Sequence, residues 1–109
     1  MITVTFLRED HLISGFSCDG HAEYADPGSD IICSAVSALT QTAVMGIVQV
    51  AQISAGYSVS EGDLHCILSR DADEEQCSRA DLLFKTMEAG LRAVDQAYPG
   101  YLKFIDREV

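Results

Sequence analysis

Apolar and polar residues alternate from the second position of the chain. Ile2, Val4 and Phe6 interleave with Thr3, Thr5 and Leu7, the period-2 rhythm of a strand with one covered face. Leu12 to Cys18 reads as a second strand, which makes Glu9 to His11 a hairpin turn. A loop follows from about Gly20 to Ser29, and Asp26-Pro27-Gly28 inside it is a strong turn signal. From Ile31 the rhythm changes. Ile32, Val36, Leu39, Ala43, Ile47, Val50 and Ser54 step by three and four, which marks one buried face of a long helix. Asp30 stands at the expected N-cap, with Cys33 three residues inside.

Ser58–Ser60 and Leu64–Leu68 flank Glu61-Gly62-Asp63, a hairpin signal. Asp73 and Gln76 have the spacing of a capping box. The helix they open carries Ala80, Leu83, Phe84, Met87, Leu91 and Val94 on one face and ends at Pro99-Gly100. Tyr101 to Ile105 closes as a last strand. The order β-β-α-β-β-α-β with two hairpins predicts an α+β fold in two layers: a mostly antiparallel sheet with two helices packed on it. At 109 residues the chain has room for one core, so residues 1–109 are expected to form a single domain.

No charged residue occurs from Ile31 through Ser60, which raises the question of a membrane span. Ser34, Ser37, Gln41, Gln49 and Gln52 fall on a common polar side and neither end has a basic flank, so a soluble helix and no membrane contact are expected. An uncharged helix rich in Ser, Ala and Gly invites cover on both sides, by the sheet on one and by a second subunit on the other. The start MITVTFLRED has charges where a secretory signal needs an apolar run. A cytoplasmic location is expected, and the four cysteines, Cys18, Cys33, Cys66 and Cys77, then read as free thiols.

The formal charge is −10, and no Lys or Arg lies between Arg8 and Arg70. Glu9, Asp10, Asp19, Glu23, Asp26, Asp30, Glu61 and Asp63 fall within that span. Such a surface repels phosphate backbones, so no direct nucleic-acid partner is expected, whereas a basic polypeptide would be steered in.

The stretch GHAEYADPGSDIIC, from Gly20 to Cys33, carries a histidine and a cysteine at the two ends of an acidic loop. Three readings fit these residue types. In the first, Cys33 at the start of a helix is a nucleophile favoured as thiolate by free N–H groups, and His21 folds back to exchange its proton. In the second, Cys18-x-x-His21 and Cys33, with His65 or Cys66, hold a structural zinc. In the third, Cys33 is a packed apolar residue and His21 an ordinary surface group.

The run Gly20-His21-Ala22 followed by Gly28-x-Asp30-Ile31-Ile32-Cys33-x-Ala35-Val36-Ser37 resembles the ribosomal-processing cysteine protease family, Prp. The resemblance covers the chain in length and order of elements and is sharpest over about residues 18–46. Ser34 departs from the alanine usual at its position. The resemblance implies a bacterial cysteine endopeptidase that removes an N-terminal extension from a basic protein of the large ribosomal subunit. It implies Cys33 as nucleophile and His21 as proton-transferring partner. Gly20, Asp30 and Ser37 match motif positions and are expected to bind substrate or support the pair. A homodimer is also implied, with no metal and no cofactor. The rival from another class is a non-catalytic ribosome-associated factor that holds a basic polypeptide tail without cutting it.

Overall fold

The structure, a computed structural model, describes residues 1–20, 27–60 and 62–109, with the backbone alone described at 27–29. Strands β1 (Ile2–Glu9) and β2 (Leu12–Gly20) form the first hairpin. The turn residues Asp10 and His11 both have positive φ, the geometry that lets a two-residue turn match the twist of its strands. Helix α1 (Pro27–Met45) continues into a wider π turn, η1 (Gly46–Val50). Strands β3 (Ala55–Ser60) and β4 (Asp63–Leu68) follow, then helix α2 (Glu74–Ala97) and strand β5 (Leu102–Glu108). The expected element order is the observed one.

The sheet runs β3-β4-β2-β1-β5, with every neighbouring pair antiparallel except β1 and β5. Cross-strand partners share a face, so Val4, Cys18 and Leu64 point to the helices in one row, and Phe6, Phe16 and Cys66 in the next. Ile32, Val36, Ala43, Val44 and Ile47 of α1, the π turn included, and Ala80, Phe84, Met87 and Leu91 of α2 are buried against them. Phe16 meets Phe84 edge-on at 5.8 Å between ring centres. Asp73 accepts from the Gln76 N–H while the Gln76 side chain accepts from the Asp73 N–H, so the capping box forms as expected.

Two expectations about the first helix are corrected. It begins at Pro27, not after Asp30; a proline that signals a turn also suits the first helical position, where no N–H is needed. Asp30 is therefore an acidic residue of the first turn rather than the cap. At the other end the Ala51 N–H reaches back to the Gly46 carbonyl, one residue further than an α-helical bond. This wider turn rotates the apolar stripe out of phase, and Val50, expected on the buried face, is 82% exposed. Gln52, at φ 54°, ends the helix. The stretch Asp30–Val50 is long and apolar enough to cross a membrane, yet its apolar stripe lies on the sheet and α2.

Candidate active site

Strand β2 continues one residue past its last partner on β4 and ends level with the start of β1. It runs on to Gly20, whose φ of +99° and close approach to the Met1 carbonyl leave no room for a side chain. The Gly20 N–H is held by the carbonyl of Gly62 at 2.9 Å, in the β3–β4 turn. This contact brings the end of β2 and the second hairpin together beside the first turns of α1. The three segments enclose an open cleft of about 670 Å³.

Four of the five residues singled out in the sequence line that cleft: Gly20 at the end of β2, and Asp30, Cys33 and Ser37 along α1. Asp30 and Cys33 are three apart and Cys33 and Ser37 four apart, the spacings that stack side chains on one helix face. Cys33 is half-buried, while Asp30 and Ser37 are exposed. The fifth residue, His21, lies outside the described residues and follows Gly20 directly in the chain.

The earlier helix start changes the electrostatic reading of Cys33. It is the seventh helical residue, so its own N–H belongs to the helical ladder instead of the free first turn. The first-turn donors without an intrahelical acceptor are the N–H groups of residues 28 and 29, one turn back. Helical Cα–Cβ bonds tilt toward the N-terminus, so the thiol leans toward that turn. Those donors, rather than the N–H of Cys33, suit an oxyanion.

The opposite wall contains residues that sequence patterns did not single out for the protease reading. Cys18 shares the cleft with Cys33. Burial, then the charge of Asp19, then that of Cys33 push the Cys18 thiol up to about 11. Cys18 is therefore a neutral thiol at physiological pH. Val59, Ser60, Gly62 and Asp63 of the second hairpin complete this wall. Asp19 and Asp63 are register partners on β2 and β4. Burial, a hydrogen bond with Asp63 and the charge of Asp63 hold the Asp19 carboxyl above its ordinary range, against the opposing influence of His65. No Lys or Arg is among the described lining residues.

The zinc arrangement meets a geometric obstacle. Cys66 is fully buried in the core, and strand alternation sends His65 to the other face of the sheet. Among the described residues no group of three or more His, Cys, Asp or Glu side chains could hold a metal ion.

Comparison with known proteins follows the same line. The sequence model of a family described as cysteine protease Prp matches residues 1–103. The ribosomal processing cysteine protease Prp of Bacillus subtilis (strain 168) is 28% identical over 106 residues, covering 94% of this chain and 95% of that protein. The protein of the same name from Staphylococcus aureus (strain Mu50 / ATCC 700699) is 28% identical over 101 residues, covering 90% and 92%. Among solved structures, the essential ribosomal processing protease Prp from S. aureus in complex with a substrate peptide superposes with a TM-score of 0.82 at 22% identity. That match covers 98% of this chain and 100% of the other. SMU.848 from Streptococcus mutans superposes with a TM-score of 0.78 at 23% identity, covering 100% and 96%. These structural likenesses concern the fold.

Proposed function

Because the chain belongs to the cysteine protease Prp family and is a cysteine protease, we propose that it trims the N-terminal extension of a basic large-subunit ribosomal protein, with Cys33 as nucleophile and His21 as general acid and base. The observation that carries this reading is the cleft, where Gly20, Asp30, Cys33 and Ser37 converge. The relatives' description as ribosomal processing proteases supports the substrate class.

In this mechanism the Cys33 thiolate attacks the scissile carbonyl and forms a tetrahedral oxyanion, held by the free N–H groups of the first helical turn. His21 gives its proton to the leaving amine, and the intermediate collapses to a thioester on Cys33. Water, deprotonated by His21, then hydrolyses the thioester and frees the thiol. Gly20 supports the pair by fixing where β2 ends, one residue before His21. Ser37, one turn beyond Cys33, hydrogen-bonds the substrate backbone, and Asp30 offers a carboxylate to a basic residue of it. The absence of Lys and Arg from the described cleft walls suits a basic polypeptide. A homodimer and a cytoplasmic location belong to the same reading. The exposed Ile31 and Val50, in the charge-free stretch that follows Asp30, support the first, and four free thiols support the second.

The test mixes purified wild type, Cys33→Ala and His21→Ala with the full-length ribosomal precursor from the same organism, followed by mass spectrometry. A single cut near the precursor's N-terminus, made by wild type and lost in both variants, is the expected result. No cut by wild type, with equal binding by all three, would favour a tail-binding factor and overturn the proposal.

A further inference from the structure

The cleft does not end at Ser37. Beyond it, Gln41 and Val59 also form part of a second, smaller hollow of about 120 Å³. The other walls of this hollow are Val44, Met45, Val48 and Gln49 on the helical side and Tyr57 on β3. Its lining is thus mainly apolar, in contrast to the serines and aspartates around Cys33.

The reason for the opening lies in the sheet order. Strand β3 is the edge strand, and its residues Tyr57 and Val59 face the helices, as register partners of Cys66 and Leu64. The helical layer covers Cys66 and Leu64 almost completely but stops short of β3, leaving Tyr57 52% and Val59 48% exposed. The result is an apolar trough between the helix and an edge strand, continuous with the space around the nucleophile through two shared walls.

We infer that this hollow is a substrate subsite that takes one aliphatic or aromatic side chain of the extended polypeptide held at Cys33. The inference rests on the protease reading above. Continuity with the cleft selects this occupant over a second copy of the chain, because a polypeptide engaged at Cys33 and lying along α1 enters the trough without a turn. Helical rise sets the distance. Cys33 and Val44 are eleven residues apart along α1, roughly 16 Å at about 1.5 Å per residue. An extended peptide advances about 3.3 Å per residue, so the captured side chain sits about five residues from the scissile bond. The subsite therefore demands a substrate longer than the reacting residues need, with an apolar residue at a fixed distance.

The experiment measures kcat/KM on synthetic peptides spanning the precursor's cleavage site. In separate peptides, each apolar residue four to six positions from the cut, on either side, is replaced by Ser. Wild type is expected to lose about tenfold or more on one such peptide, the scale of burying one large apolar side chain. Tyr57→Ser and Met45→Ser, both at exposed positions on opposite walls, are expected to lose a similar factor on the parent peptide and to show no further loss on that replaced peptide. Additive losses, or equal rates on every peptide, would overturn the subsite. Sedimentation of the same variants covers the other occupant: a dimer that dissociates in both, with activity lost uniformly across peptides, would assign the trough to a second copy and also overturn it. Failure of wild type to cut any peptide would instead be a failure of the protease reading.

Discussion

Replacing Gly20 with alanine imposes two separable penalties on the residue that precedes His21. The first is backbone strain, because φ of +99° is a conformation side chains rarely adopt. Such a residue costs on the order of 1–2 kcal/mol. The second is overlap: the new Cβ would lie 2.5 Å from the Met1 carbonyl oxygen, and that backbone cannot rotate away as a side chain could. Gly100 provides the control. Its φ is also +99°, but a Cβ there meets nothing within 4 Å. Gly100→Ala therefore carries strain alone, at a turn outside the cleft. Unfolding entropy of about 2.1 cal/mol/K per residue over 109 residues converts this strain to a fall in Tm of roughly 4–9 °C. Gly20→Ala should fall at least as far and must also shift the end of β2 to relieve the overlap. A displacement of about 1 Å at a catalytic group costs up to about a hundredfold in rate. The expected outcome is a ten- to hundredfold loss of kcat/KM for Gly20→Ala, with Gly100→Ala within about twofold of wild type. Thermal melts and precursor cleavage by both variants, at a temperature where each is folded, decide the matter. Wild-type activity in Gly20→Ala, or an equal loss in Gly100→Ala, would refute the reasoning.

Two further predictions concern groups that the structure buries. The Asp81 carboxylate accepts from the fully buried Ile13 N–H at 2.7 Å, beside the register shift in the first hairpin. Asp81→Ala should cost about 2–3 kcal/mol in urea unfolding and Asp81→Asn about 1, because asparagine keeps an acceptor; equal effects would contradict this. Burial first, and then the neighbouring charges of Asp19 and Cys33, raise the Cys18 thiol to about 11, and burial alone raises Cys66 to the same value. Iodoacetamide at pH 7.5 should leave both unlabelled in the folded protein, since under about one thiol in a thousand is then ionised. Because these folded-state values exceed the ordinary thiol value, the stability linked to them is complete below about pH 9 and declines as the pH rises toward 11. Rapid labelling of Cys18 at pH 7.5 would contradict the burial argument.

Local signals made much of this protein legible. The Asp73–Gln76 box opens α2 where its spacing says, and β3 and β4 pair as the expected second hairpin, with Asp63 already in β4. The family resemblance singled out Asp30, Cys33 and Ser37, which line the cleft together along α1. The start of α1 was missed because Pro27 serves equally as a turn residue and as a first helical residue. The π turn was missed because one wider turn leaves no residue signature, and it carried Val50 from core to solvent. The far wall of the cleft depends on β4 pairing with β2 across more than forty residues of chain, a choice that no local pattern encodes. The Gly62 carbonyl that holds Gly20 enters the site only through that pairing.

The central claim is that Cys33, in the cleft, carries the substrate through a covalent intermediate. Wild type should be mixed with excess precursor, quenched in acid within milliseconds to seconds, and examined by intact-mass and peptide-level mass spectrometry. The account predicts a transient species heavier by the acyl fragment of the precursor, attached as a thioester to the peptide containing Cys33 and absent from Cys33→Ala. An adduct on Cys18, or cleavage that persists in Cys33→Ala, would contradict it.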